Sequence, residues 1–268
     1  MLIVCKGHET MRYSHDQEIR YYQSYTDDFV MSRKQSHELP ENYVWLHKSL
    51  IYRCIARGFQ FVAAIISFFY CRLYLNVKIV NQYVLKECGK SGFFLYGNHT
   101  QPVGDVFIPF RVLFPRCCYV IASPANLGIP VLGPMLPLFG ALPTSESASD
   151  LKKLKDAVCK RIRDRSCVVI YPEAHVWPWY TGIRPYAAVS FGFPVMNNVP
   201  AYSMTTTYQK RRFGKKPDIT IYIDGPFYPD VSLPQKVQKE KLRNAVYECM
   251  VQRSKYSTYQ YIQYEKFN

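Results

Sequence analysis

From residue 76 onward the chain alternates short apolar runs with apolar stripes at helical spacing. Residues 93–96 are wholly apolar and end in Gly97-Asn98-His99, and residues 119–122 form a second run. Residues 167–171 form a third, cut off by Pro172, which cannot donate to a ladder. Ile219, Ile221 and Ile223 alternate in a strand stopped by Gly225-Pro226. Between the runs, Leu151, Leu154, Val158 and Ile162 recur at helical spacing behind the N-cap candidates Ser147, Ser149 and Asp150, with Lys152, Lys153, Lys160, Arg161 and Arg163 outward. Leu242, Ala245, Val246, Cys249 and Met250 mark a last helix. This alternation predicts an α/β domain over residues 76–250, a mixed, mostly parallel central sheet flanked by helices, with 251–268 as a tail.

Residues 1–43 are polar and tyrosine-bearing with no sustained period, and they read as an N-terminal extension. Residues 44–75 differ. Lys48, Ser49, Arg53, Arg57 and Gln60 fall on one side of a helix, and Leu46, Leu50, Ile51 and Ile55 on the other. An apolar, aromatic-rich stretch of 14 residues then separates Arg57 from Arg72. As a helix it measures about 21 Å, short of a hydrocarbon core of about 30 Å. One reading is a buried core helix. The other, favoured by Trp45, Phe59, Phe61, Phe68, Phe69, Tyr70 and Tyr74, is an amphipathic, monotopic element lying in one leaflet.

Composition narrows the classes. Charged residues at 20% and hydrophobic ones at 48% exclude wholesale disorder, and a mean hydropathy of −0.17 excludes a multispan membrane protein. The net charge of +14 lies outside the first 43 residues, where acids outnumber bases. It implies an anionic partner, and an anionic membrane surface is the expected one. Nucleic acid is not expected, because no zinc-finger, RNA-recognition or basic-zipper pattern occurs. Nine scattered cysteines without a C-x-x-C pair read as small buried residues of a reducing compartment. The N-terminus reaches Lys6 before any secretory apolar region, so the cytoplasmic face of a membrane is the expected location.

Candidate chemistry gathers at strand ends. His99 follows the run 93–96, and Asp105 comes six residues later, past Pro102 and Gly104, which forbid a smooth helix between them. A carboxylate there can fix the imidazole tautomer, giving the base and orienting halves of a triad. The bland alternative is a turn histidine followed by an N-cap aspartate. Glu173, at the next strand end, could bind a substrate hydroxyl or cap a loop through backbone N–H groups. Arg184 amid apolar neighbours reads as a phosphate ligand or as a surface arginine. A zinc site from His99, His175 and one acid lacks supporting spacing, and no metal or cofactor is expected. Residues 209–216 carry five bases in eight positions and read as a solvated hairpin tip.

Taken together and in this order, these motifs resemble the glycerolipid acyltransferase superfamily, typified by 1-acyl-glycerol-3-phosphate acyltransferases, across roughly residues 75–230. The family's Asn-His and following aspartate look like Asn98-His99 and Asp105, with one extra intervening residue. Its aromatic-Pro-Glu-Gly resembles Tyr171-Pro172-Glu173, with Ala174 for glycine. Its apolar-Pro strand resembles Val199-Pro200-Ala201, and its closing Gly-Pro resembles Gly225-Pro226. Two family arginines are missing: none lies within Gly140-Ala141-Leu142-Pro143-Thr144-Ser145-Glu146, and none follows Glu173 closely.

The resemblance implies transfer of a fatty acyl group from a thioester, acyl-CoA or acyl-ACP, to a hydroxyl of a lysophospholipid-type acceptor. His99 would be the general base and Asp105 its orienter. Asn98, Thr100, Glu173 and Arg184 are the implied substrate-binding residues, with Arg184 or Lys152 replacing the missing phosphate ligands. A thioesterase using the same His99–Asp105 pair, and a lipid-surface protein whose site has decayed, are the alternatives.

Overall fold

The computed structural model describes residues 12–14, 17–30, 39–214 and 216–267. In chain order its elements are β1 (Arg12–Ser14), β2 (Gln17–Tyr22), α1 (Leu50–Phe69), β3 (Val77–Val80), β4 (Phe93–Gly97), α2 (Gly104–Leu113), β5 (Cys118–Ala122) and β6 (Ala141–Pro143). They continue with α3 (Ala148–Arg163), β7 (Cys167–Ile170), α4 (Gly192–Asn197), β8 (Ala201–Gln209), β9 (Asp218–Phe227), α5 (Gln235–Ser254) and β10 (Ile262–Lys266). Seven strands make one sheet in the order β3-β9-β8-β4-β7-β5-β6. Every neighbouring pair is parallel except β8 with β9, so the sheet is mixed and mostly parallel, as predicted.

β4 and β7 lie at the middle of the sheet and are buried at every position. A central parallel strand covered on both faces has no polar face, which is why these segments read as unbroken apolar runs. Their alternate side chains divide the core. Phe93, Leu95 and Val169 pack with α1 and α2, whereas Phe94, Tyr96, Val168 and Ile170 pack with α3 and α5. On α3, Leu154, Val158 and Ile162 are buried as the stripe predicts, but Leu151 is exposed.

Two features depart from the sequence reading. First, the described part of the N-terminal extension does not stand apart from the tail. β2 pairs with β1 and, in parallel register, with β10, so the two chain ends close a second sheet of three strands. Its glue is aromatic: Trp177, from the loop after β7, meets Tyr22, Tyr25, Phe29, Tyr180 and Tyr264 at 4.8–6.0 Å between ring centroids.

Second, α1 buries a stripe of small and uncharged polar residues, while its arginines Arg53 and Arg57 are exposed. Gln60, Ala63, Ser67 and, on a following π-helical turn (Tyr70–Tyr74), Cys71 form the buried stripe, with the Gln60 carboxamide accepting from the first N–H of β5 at 3.2 Å. Leu50, Ile51 and Ile55, the apolar side of the amphipathic pattern, are exposed, together with Phe61, Val62, Ile65, Ile66, Phe68, Phe69 and Leu73, against the buried-core reading and in keeping with the membrane-lying one. Leu50–Tyr74 is one helical stretch of 25 residues with a mean hydropathy of 1.6, long and apolar enough to cross a membrane, yet it lies along the domain. A helix whose apolar residues face outward and whose small and polar residues face the protein suits a membrane-associating element. Cys54 shares this exposed helix, so the cysteines are not uniformly buried; Cys71, Cys88, Cys118 and Cys167 are, and Cys5 lies outside the described residues.

Candidate active site

The site forms where β4 ends. Gly97 is its last residue because a Cβ there would sit 2.6 Å from the Tyr171 ring, which crosses the strand end. Asn98 then continues the ladder with its side chain: Nδ2 donates to the Thr206 carbonyl at 3.1 Å, and Oδ1 accepts from the Thr206 N–H at 2.8 Å. The Thr100 hydroxyl lies 2.6 Å from the Tyr208 hydroxyl, which also accepts from Gln101 Nε2 at 3.0 Å. Burial pushes the Tyr208 hydroxyl up, so it stays a neutral donor. On the other side, the carbonyls of His99 and Thr100 accept from the N–H groups of Trp177 and Trp179 at 3.0 and 2.8 Å.

Between these clamps, the His99 ring projects beside Asp105. Nδ1 lies 2.7 Å from Asp105 Oδ2, and the imidazole, 21% exposed, faces a carboxylate only 3% exposed. The extra residue between them is taken up by a turn: the Asp105 N–H donates to the Gln101 carbonyl, and Asp105 Oδ2 accepts from the Gln101 N–H at 2.9 Å. Asp105 thereby enters the first turn of α2, where the helix dipole favours its charge. Burial holds its carboxyl above the usual range, against the pull of His99 and of the N–H groups of Gln101 and Thr100. With the carboxylate accepting, the Nδ1 proton is the donor and Nε2 keeps its lone pair. No hydrogen-bond partner of Nε2 is found among the described residues.

Tyr171, in the quoted motif but without an assigned role, holds the pair from a third side. Its ring stacks on the imidazole at 4.5 Å with an interplanar angle of 18°. Its hydroxyl donates to the Asp105 carbonyl at 2.7 Å. That carbonyl is available because its helical partner would be the N–H of residue 109, which is a proline inside α2. Burial and the Asp105 charge raise the phenol well above its ordinary range, so it remains a donor.

The four residues read as substrate-binding stand elsewhere. Asn98 and Thr100 are 1% and 0% exposed and spent on β8. Glu173 and Arg184 meet each other: Arg184 Nε and Nη2 donate to Glu173 Oε2 at 3.2 and 2.9 Å, with side chains 1% and 0% exposed. Glu173 Oε2 also accepts from the His99 N–H at 3.2 Å, and Oε1 from the Arg184 N–H at 3.1 Å. Burial raises the Glu173 carboxyl, and the guanidinium opposes it. Arg184 further donates to the carbonyls of His175 and Tyr25 and lies 4.9 Å over the Trp177 ring. Glu173 is thus the loop-capping carboxylate, and Arg184 has no face left for an acceptor phosphate. His175 turns instead to Asp28, at 3.3 Å. Burial works against the Asp28 charge, but His175, the Val30 N–H and the field of His99 outweigh it and lower its carboxyl. Asp28 therefore sits within electrostatic reach of the base. Nothing in the pattern of the extension pointed to it.

Two predictions follow from these contacts. Breaking the ion pair by Arg184→Met or Glu173→Ala strands a buried charge or removes the His99 clamp, and costs about 3–5 kcal/mol of stability. Thermal melts read the loss, and acceptor KM at temperatures where the variant stays folded remains that of the parent; a rise in KM alone would restore substrate binding. Asp105→Asn is expected to act the other way on stability. Because the folded state favours the protonated acid, ionised Asp105 subtracts stability as pH rises through its titration. The amide therefore melts no lower than the parent at neutral pH while replacing the charged acceptor of Nδ1–H by a neutral one that cannot stabilise an imidazolium; a clear drop in melting temperature would contradict this.

No protein-family model and no curated protein sequence matches the chain. Among solved structures, the 1-acyl-sn-glycerophosphate acyltransferase PlsC from Thermotoga maritima superimposes with a TM-score of 0.55 at 14% identity, covering 80% of this chain and 86% of that one. The chain has the fold of a PlsC-like acyltransferase.

Proposed function

We propose that the chain is an acyltransferase that moves a fatty acyl group from a thioester to a hydroxyl of a lysophospholipid-type acceptor. The observation that carries this reading is the His99–Asp105 contact of 2.7 Å at the end of a central strand, with no partner for Nε2 among the described residues. Strand C-termini are where open α/β sheets present reactive groups. The fold shared with PlsC, a 1-acyl-sn-glycerophosphate acyltransferase, supports the same reading.

The steps use the residues described. Nε2 takes the proton of the acceptor hydroxyl as its oxygen attacks the thioester carbonyl, and Asp105 stabilises the imidazolium that results. The positive end of α2, beside the dyad, favours the oxyanion of the tetrahedral intermediate. Collapse of the intermediate breaks the C–S bond, and the leaving thiolate recovers the proton from His99. An ester and a free thiol result, and no acyl-enzyme forms. The Tyr171 ring, lying flat on the imidazole, favours its cationic form during the cycle.

The outward apolar face of α1 brings this chemistry to its lipid substrates. Its surroundings are basic, with Arg53, Arg57 and Arg72 exposed on the same helical stretch, and the whole chain carries +14. That charge suits an anionic cytoplasmic leaflet and a phosphate-bearing donor, acyl-CoA or acyl-ACP. Because Arg184 is committed to Glu173, the acceptor's head group is held by other groups.

His99→Ala is expected to lower acyl transfer by on the order of 10²–10⁴-fold without changing the fold. The assay follows thioester consumption with acyl-CoA and acyl-ACP against a panel of lysolipids, with products identified by mass spectrometry. Turnover at the parent rate would remove His99 as the base. Acyl release to water with no lysolipid product would make the chain a thioesterase.

A further inference from the structure

The basic loop between β8 and β9 does not sit alone in solvent. β8 continues five residues beyond Met204, the partner of Gly97 at the end of β4, a further reach of about 17 Å. The loop that follows therefore projects from the same end of the sheet as His99, two residues past the Tyr208 that anchors Thr100. It docks on the end of the apolar helix. Lys216 Nζ donates to the Tyr74 hydroxyl at 2.7 Å and lies 4.9 Å from the centre of that ring. Arg211 reaches the Leu75 carbonyl at 3.4 Å, and Asn76 donates to Asp218 at 2.9 Å.

Among the described residues of the loop, only Arg211 has a carboxylate partner there, Asp218 at 2.6 Å. Lys210, Arg212 and Lys216 are exposed. At the tip stands Phe213, 77% exposed, with the Arg212 guanidinium 5.3 Å over its ring. The neighbouring end of the helix exposes Phe69, Leu73 and Tyr74 at 54, 76 and 55%. An aromatic ring flanked by cations, continuous with an apolar helix face, has the composition of an interfacial anchor: the ring enters the head-group boundary and the cations meet lipid phosphates.

We propose that the β8–β9 loop is a second membrane-contact element, specific for anionic phospholipid, which together with α1 turns the His99 end of the sheet towards the bilayer. This rests on the membrane reading of α1 given above. Two contacts, one along the helix and one at the loop tip, fix the tilt of the domain, which a single apolar helix leaves free to roll. The tilt places the strand end that carries the base where an acceptor hydroxyl at the lipid surface can reach it.

The test is co-sedimentation of the full chain with vesicles of phosphatidylcholine alone and of phosphatidylcholine mixed with phosphatidylglycerol. Melting curves establish that each variant is folded. Phe213→Asp is expected to weaken partitioning on both, by on the order of tenfold. The pair Lys210→Glu and Arg212→Glu weakens it on the anionic vesicles only, by about fivefold or more per charge. Val189→Asp, an equally exposed apolar position on the other side of the sheet, leaves binding unchanged. If the loop variants bind like the parent while Ile66→Asp on α1 loses binding, the loop proposal is overturned and the helix reading stands. If the parent binds neither vesicle, both fall.

Discussion

A carboxylate sealed from water must be neutralised where it lies, and Glu173 is neutralised by Arg184 at 2.9 Å. Three segments distant in sequence meet at that pair. The Glu173 carboxylate takes the His99 main-chain N–H, the guanidinium takes carbonyls from the loop after β7 and from Tyr25, and Trp177 covers the charge with its ring. Removing either partner leaves an ion in a dry interior, so the arrangement is all-or-none. The segment that carries the proposed base inherits that rigidity: its start is fixed by Glu173 and by β8, and of the His99–Asp105 pair only the imidazole retains an exposed edge.

The same economy shapes the outer face. Strand ends, helix ends and an apolar flank converge on one side of the molecule. α1 passes the first residue of β5 at its midpoint, Gln60, and the turn that continues it ends beside the loop that extends β8 past the site. Its second half therefore runs from the start of one strand towards the site end of the sheet with its greasy side outward. Under the proposed function the substrates are lipids that cannot leave the bilayer without exposing their chains, so the proposed base has to approach them. A helix that lies along the domain, instead of crossing from it, makes that approach compatible with a water-exposed α/β fold.

The parts legible in the sequence were those written in local pattern. β4, β7, α3 and α5 follow from apolar runs and helical stripes, and the His99–Asp105 pair from its place at a strand end. What could not be read was which buried partner each polar group would choose. Glu173 and Arg184 were noticed separately, eleven residues apart, but nothing local says that they face each other. β8 is legible only at its Val199-Pro200-Ala201 start, because Ser203, Thr205, Thr206 and Thr207 look like solvent-facing positions; all are buried, the β-branched threonines suiting a strand and Thr207 donating to the Thr220 carbonyl. α1 is legible as an amphipathic helix, but amphipathicity names two faces and not which one meets protein, which is why a buried and a membrane-lying reading both stood. The second sheet escapes for the converse reason: its β2–β10 pairing spans more than two hundred residues, and its strands carry no period of their own.

The most direct measurement is nitrogen-15 NMR of the full chain labelled at histidine. The expected spectrum shows neutral His99 with its proton on Nδ1, slow to exchange and shifted downfield by Asp105, and with Nε2 unprotonated. A neutral His99 that carries its proton on Nε2, or a Nδ1 proton exchanging freely with water, would mean that the carboxylate does not hold the ring and that the base proposed for acyl transfer is absent.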